Sequence, residues 1–251
     1  MTTATCPRCG HRPGPADPDT HPGVCPACGI AYAKWLARQA ASEPEADRAE
    51  TLDTASGHEG SLGERLREQL LLPPDGSDPD RTGLRELLLA ALAIWTLWFA
   101  SGGIDWEAIG GSFLHSVDLA FHEFGHLFFM PFGRTMTILG GSLFQFLLPV
   151  SLALYFAAWQ QDNFAAAVAS WWAGQNLVDL SPYIRDAEYR GLPLVGGNGE
   201  QSHDWGNLLT QWEAVDSCYA LARASFWLGI LMMAAALAWG AMLLWRVRSP
   251  R

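Results

Sequence analysis

Five long apolar runs, Leu84–Ser101, Ser112–Pro131, Thr137–Trp159, Phe164–Pro182 and Tyr219–Trp245, constrain this chain more than any other feature. Each is close to the roughly 20 residues that carry a helix across a bilayer. Inside lipid every backbone polar group must be satisfied within the structure, so runs of this length predict helices. The expected fold class is therefore an all-α polytopic membrane protein of about five transmembrane helices. Trp106, Trp159 and Trp245 lie near run ends, where indole rings suit the headgroup level. The 183–217 loop is polar, with Gly196-Gly197-Asn198-Gly199 as a turn.

Charge gives a partly consistent topology. Arg65, Arg67, Arg81 and Arg85 place the N-terminal side in the cytosol, and the expected location is the cell (inner) membrane, multi-pass. Alternate crossings return Arg134 and the loop bearing Arg185 and Arg190 to the cytosol, as the rule asks. A fifth crossing then puts Arg246, Arg248 and Arg251 outside, against the rule. Either one run fails to span or the tail is an exception. The opening MTTATCPRCG has no apolar stretch, so the first apolar helix is expected to direct insertion.

Before the runs, residues 1–37 contain Cys6-Pro7-Arg8-Cys9 and Cys25-Pro26-Ala27-Cys28, fifteen residues apart. Each Cys-x-x-Cys curls so that both thiolates face one ion, and two such knuckles supply a tetrahedral set of sulfurs. Gly10 and Gly29, directly after the pairs, permit the left-handed turn this curl needs. The pattern resembles a zinc ribbon, with Cys6, Cys9, Cys25 and Cys28 holding a structural zinc that supplies much of the stability of so small a domain. Such a ribbon fits a protein partner or a regulatory role. The net charge of −10 and the few bases nearby argue against nucleic acid. His11 and His21 read as loop residues and Cys218 as a small buried one.

Residues 38–83 read as an acidic flexible linker: from Gln39 to Gly60 six acids face one base, Arg48. Within it Ser61-Leu62-Gly63-Glu64 matches a capping box, and Leu62, Leu66 and Leu70 share a face of a short amphipathic helix over 62–72. Residues 84–251 form the third part, the transmembrane domain.

The second run carries His122-Glu123-Phe124-Gly125-His126, an HExxH motif. On a helix its two imidazoles stand one above the other and can hold one zinc, with Glu123 free to act as general base toward a water. His115 and Asp118 continue the same face. Ionisable groups in a membrane run mark a site. A catalytic zinc asks for a third protein ligand. Asp179, near the end of the fourth run, is one candidate, since runs two and four point the same way and its depth agrees with that of His126. His203, in Ser202-His203-Asp204-Trp205-Gly206, is the other.

The stretch from Phe113 to Pro182 resembles the site-two protease class of intramembrane zinc metalloproteases. Gly125 stands where HExGH has its glycine, and Gly133 and Gly140-Gly141 fall where the class has a glycine-bearing extended segment. Asp179, after Asn176 and before Pro182, is similar to the class's third ligand, without the prolines and glycine that surround it there. The resemblance implies that Thr135–Leu139 pairs with an unwound substrate strand. It further implies that His122, His126 and Asp179 hold a catalytic zinc beside the base Glu123. The function expected is an intramembrane zinc endopeptidase acting on membrane-protein substrates in the lipid bilayer. The alternative is a non-catalytic zinc-binding membrane protein, a sensor or adaptor that works through its ribbon. A zinc transporter would need polar residues on more of the runs.

Overall fold

The computed structural model describes residues 5–6, 8–12, 14, 17, 23–35, 62–74, 79–194 and 202–249. The acidic stretch 38–61, with the capping-box Ser61, lies outside these residues, as do His21 and the Gly196–Gly199 turn. The chain divides into two units, Met1–Ser61 and Leu62–Arg251.

In the first unit the two cysteine knuckles are built alike. Gly10 N–H donates to the Cys6 carbonyl and Gly29 N–H to the Cys25 carbonyl, each at 2.9 Å. Both glycines have positive φ, 74° and 68°, the left-handed turn expected of them. A single antiparallel bridge, Val24 to Ala31, leads into a helical turn at 32–35.

All the regular secondary structure among the described residues of the second unit is helical. Its helices are α1 Leu62–Leu70, α2 Pro79–Gly102, α3 Trp106–Gly110, α4 Phe113–Phe129, α5 Arg134–Tyr155, α6 Asn163–Arg185, α7 Asp204–Gln211 and α8 Cys218–Arg248. A 3-10 turn, Met130–Phe132, and Gly133 at φ 93° reverse the chain between α4 and α5. The expected extended segment is absent: Thr135–Leu139 and both glycines Gly140 and Gly141 lie inside α5.

Helix α6 runs through the centre and is buried on all sides. It meets α8 backbone to backbone, since a Cβ on Gly174 would stand 2.8 Å from the Gly229 carbonyl oxygen. Small residues permit such approach where lipid gives helices no hydrophobic reason to associate. The Trp171 indole donates to Thr96 Oγ1 of α2 at 2.8 Å, and Ser225 Oγ of α8 donates to the Leu177 carbonyl at 2.7 Å. Pro182 has no N–H for the Val178 carbonyl, and the Ser181 hydroxyl takes that place at 2.6 Å.

Contacts fix which helix ends lie together. At one end, here proximal, Arg248 of α8 pairs with Glu86 of α2. The last carbonyls of α1 and those just after it are satisfied there by side chains of α6 and α8. Asn163 Nδ2 donates to Gln69 at 2.7 Å, Trp239 Nε1 to Leu70 at 2.8 Å and Arg246 to Leu71 at 3.0 Å. Gln69 reaches the Ala157 carbonyl beyond α5. Helix α1 therefore belongs to the bundle rather than to a free linker. At the distal end Arg185 of α6 donates to the Ile104 carbonyl just after α2, and Gln211 of α7 donates to Thr135 at the start of α5.

The segment between α2 and α5 thus leaves and rejoins the same distal end. Helix α4 spans 17 residues, about 25 Å, and does not cross the bundle. The five expected spans are thus not all shown. Helices α2, α5, α6 and α8 run the length of the bundle, and the arginines at the α2 start and the α8 end share its proximal end. Arg134 and Arg185 lie at the opposite, distal end.

Among the described residues three helical stretches are long and apolar enough to cross a membrane, Asp80–Gly102, Arg134–Gln160 and Val215–Arg248. Their outer faces expose Leu84, Leu87, Ile94, Leu97, Leu154, Trp227, Leu228 and Leu231. A contiguous apolar surface of this kind supports membrane association. The topology is open to cysteine accessibility in sealed vesicles. Asp80→Cys and Ser249→Cys should react with a membrane-impermeant thiol reagent from one side, and Arg134→Cys from the other. Labelling of Arg134→Cys from the same side as Asp80→Cys would instead mean that α4 crosses the membrane.

Candidate metal centres

In the first unit the four expected cysteines converge. Cys6 Sγ lies 3.8 Å from Cys28 Sγ, and Cys9 Sγ lies 3.7 Å from Cys25 Sγ. Tetrahedral zinc at about 2.3 Å from each sulfur requires S···S edges of about 3.8 Å. All four sulfurs lie within 4.8 Å of one another, so the set is closed around one ion position. Burial opposes ionisation of Cys25, but the backbone N–H groups of Cys28 and Ala27 outweigh it and bring the thiol down to about 6. The His11 backbone favours the Cys9 thiolate, yet desolvation and the neighbouring sulfurs push it up to about 12. Four packed thiols do not all ionise without a cation among them. His11 bonds Asp17 at 2.9 Å and takes no part.

In the second unit α4 carries His122 and His126 toward α5. The two helices touch at glycines: a Cβ on Gly140 would stand 2.8 Å from the Gly125 carbonyl oxygen. One residue on, a Cβ on Gly141 would stand 2.5 Å from His122 Nε2 and 2.7 Å from His126 Cε1. Gly141 thus leaves free the space in front of both imidazoles.

The acid that the structure brings to those rings is Asp204, the first residue of α7. Its Oδ2 lies 3.0 Å from His122 Nε2 and 3.2 Å from His126 Nε2. Asp179 stands elsewhere. Its Oδ1 accepts from His115 Nδ1 and its Oδ2 from Gln145 Nε2, both at 2.9 Å. His203 does not ligate either. Its Nδ1 accepts from Gly206 N–H at 2.9 Å, capping α7, while Nε2 faces Asp186 Oδ2 at 3.3 Å. Burial lowers the basicity of this imidazole, as a capping acceptor requires. Asp118 accepts from the Trp172 indole at 2.8 Å rather than from a histidine.

Helix α7 is held firmly. Trp205 donates to Ser142 of α5, Arg190 to the Gly206 carbonyl at 2.8 Å, and the Tyr183 hydroxyl accepts the Asp204 backbone N–H at 2.8 Å. Sequence reasoning missed Asp204 because the 183–217 segment reads as loop. The signal present was a His-Asp pair ahead of Trp205, Leu208 and Leu209, a short amphipathic pattern.

The donor set fits a cation. His126 Nδ1 lies 2.8 Å from the Thr137 carbonyl, which only accepts, so that nitrogen carries a proton and Nε2 is the atom left for a cation. His122 Nδ1 is turned to Gln145 Oε1 at 3.0 Å in the same sense. Two imidazole nitrogens and a carboxylate oxygen therefore converge within about hydrogen-bond distance, where either protons on the imidazoles or a metal ion supplies the positive charge that the carboxylate needs. Zinc with these ligands at 2.0–2.2 Å gives edges of roughly 3.4 Å, near the observed pair distances. Burial pushes Asp204 up, but the two imidazoles outweigh it and hold the carboxyl below its ordinary range. Three protein ligands leave the fourth position of a tetrahedral zinc open.

Glu123 projects from α4 without joining this set, and it lines the adjoining cavity of about 340 Å³. The same walls hold Trp106, His115, Leu119, Ile138, Tyr183 and Leu192. No protein-family model, curated protein or solved structure matches the chain, so its chemistry is read from this geometry.

Both groups have the geometry and donor types of zinc sites, and metal analysis separates them. The purified protein should hold two zinc ions per chain. Cys6→Ser with Cys9→Ser removes one, and His122→Ala with His126→Ala removes the other. Gly141→Ala should also remove the second ion while the ribbon ion stays. One ion per chain, unaffected by the histidine changes, would eliminate the second centre.

Proposed function

We propose that this protein is an intramembrane zinc endopeptidase with His122, His126 and Asp204 as metal ligands and Glu123 as general base. The observation that carries the reading is the placement of Glu123, an unligated carboxylate on the wall of a cavity beside a three-ligand site. A purely structural centre has no use for such a group.

Zinc, when bound, polarises a carbonyl and a water as a Lewis acid. The chain's own residues supply the rest. Glu123 accepts a proton from the attacking water as the new C–O bond forms, then delivers it to the leaving nitrogen as the C–N bond breaks. His122, His126 and Asp204 hold the ion with one position facing the cavity. Leu119, Ile138, Leu180 and Leu192 give the cavity an apolar lining suited to a membrane-embedded segment. A helical peptide bond is shielded by its own hydrogen bonds, so the substrate must unwind before it enters.

An orientation goes with this reading. Arg81, Arg85, Arg246 and Arg248 gather at the proximal end, with Arg65 and Arg67 in α1. The positive-inside rule assigns this end to the cytosol. The cavity, near the distal end beside Thr137 and Asp204, then opens toward the opposite face, and peptide bonds near that face are the substrates. The N-terminal cysteine module serves on this reading as a cytosolic partner-binding or regulatory element.

Glu123→Gln keeps size and hydrogen bonding but accepts no proton. It should leave both zinc ions in place and cut cleavage of a membrane-anchored substrate by about 100- to 10,000-fold. The substrate needs a Gly-, Asn- or Pro-rich segment near the non-cytosolic face. Equal cleavage by wild type and Glu123→Gln would rule the enzyme out in favour of a metal sensor or adaptor.

A further inference from the structure

His126 receives its orientation from a backbone carbonyl, which cannot turn. His122 receives its own from the side-chain amide of Gln145, which can. Something must therefore decide which end of that amide faces the imidazole. We propose that Asp179 decides it: Asp179 and Gln145 are positioning residues that hold His122 in the tautomer able to bind metal. This inference rests on the metal-site reading above and not on protease activity.

A carboxylate only accepts hydrogen bonds. Asp179 Oδ2 stands 2.9 Å from the Gln145 side-chain nitrogen, so the NH₂ of Gln145 must face Asp179. The amide oxygen then faces His122 Nδ1 at 3.0 Å and can only accept from it. Nδ1 thus carries the proton, and Nε2 keeps the lone pair that points at the Asp204 cluster. The other oxygen of Asp179 accepts from His115 Nδ1 at 2.9 Å. Gln145 is 2% exposed, Asp179 5% and His122 6%, so water does not compete for these groups. In the reverse order of donors and acceptors, His122 would carry its proton on Nε2 and present N–H to the ion. The chain of bonds passes through one residue each on α6, α5 and α4, which is why no local sequence pattern contains it. It also gives Asp179, an acid buried in a central helix, a role that requires its charge but no contact with metal.

Zinc affinity, measured by chelator competition on the purified full chain, tests the assignment. Asp179→Asn offers an NH₂ to Gln145 and frees the amide to turn, so affinity at the second centre should fall roughly 10- to 100-fold. Gln145→Glu sets two carboxylates against each other and should cost a similar amount. The double variant Gln145→Glu/Asp179→Asn reverses which partner is charged. The new carboxylate at 145 accepts from both the new amide at 179 and His122 Nδ1–H, and every other bond keeps its direction. Its affinity should return to within about threefold of wild type, a coupling that independent structural damage would not produce.

An unchanged affinity in Asp179→Asn, or a loss that the double variant fails to recover, overturns the assignment. The latter result would mark Asp179 as a direct ligand or a packing residue. If the wild type itself holds only the ribbon ion, the metal-site reading fails, and this inference with it. That result differs from a wild type with two ions whose double variant does not recover.

Discussion

The second metal centre depends on a backbone contact. Helix α4 and helix α5 approach until Gly125 and Gly140 touch, and no side chain fits between them. That approach places Gly141 directly before the two imidazoles and brings the Thr137 carbonyl within reach of His126. It sets Gln145 against His122 by the same geometry, one further turn along α5. A methyl group at the crossing would move all of these together. The glycines are thus a requirement of the site's shape rather than a consequence of flexibility.

Electrostatics then limits what can occupy the space. Groups that accept hydrogen bonds are costly to bury unless paired. Here the Nε2 atoms of His122 and His126 and Oδ2 of Asp204 turn toward one another, while Gln145 engages His122 Nδ1, the Thr137 carbonyl engages His126 Nδ1 and the Tyr183 hydroxyl accepts the Asp204 backbone N–H. The surrounding network thus turns both Nε2 atoms inward, where positive charge, as protons or as a metal ion, balances the carboxylate. The cysteine module reaches the same end with four sulfurs and no open position. One chain therefore carries a closed tetrathiolate set and an open three-ligand set, whose difference lies in ligand number and in the cavity beside the second.

Topology links the site to the bilayer. Asp118 and His122 of α4 are buried against the neighbouring helices, while Phe124, Leu127 and Phe128 remain exposed. Lipid can cover that apolar side, and buried ionisable groups are tolerated inside a bundle. The path of the chain returns both ends of the second unit to one side. Two segments that are far apart in sequence, around Glu86 and Arg248, can pair there.

The sequence by itself determined the ingredients whose geometry is local. Cys-x-x-Cys spacing implies a tetrathiolate because each knuckle closes within five residues. HExxH implies a histidine pair because a helix stacks i and i+4. Run lengths imply helices because lipid leaves the backbone no other partner. Only the tertiary structure decided that Asp204 rather than Asp179 or His203 meets the histidines, since that choice depends on how α7 folds back and is clamped by Arg190, Trp205 and Tyr183. It likewise decided that the second run begins and finishes at one end of the bundle. An apolar helix of 17 residues has the composition of a span, and only its neighbours reveal at which end it begins and finishes. Long-range partners are chosen by packing, and a linear pattern of residue types does not record them.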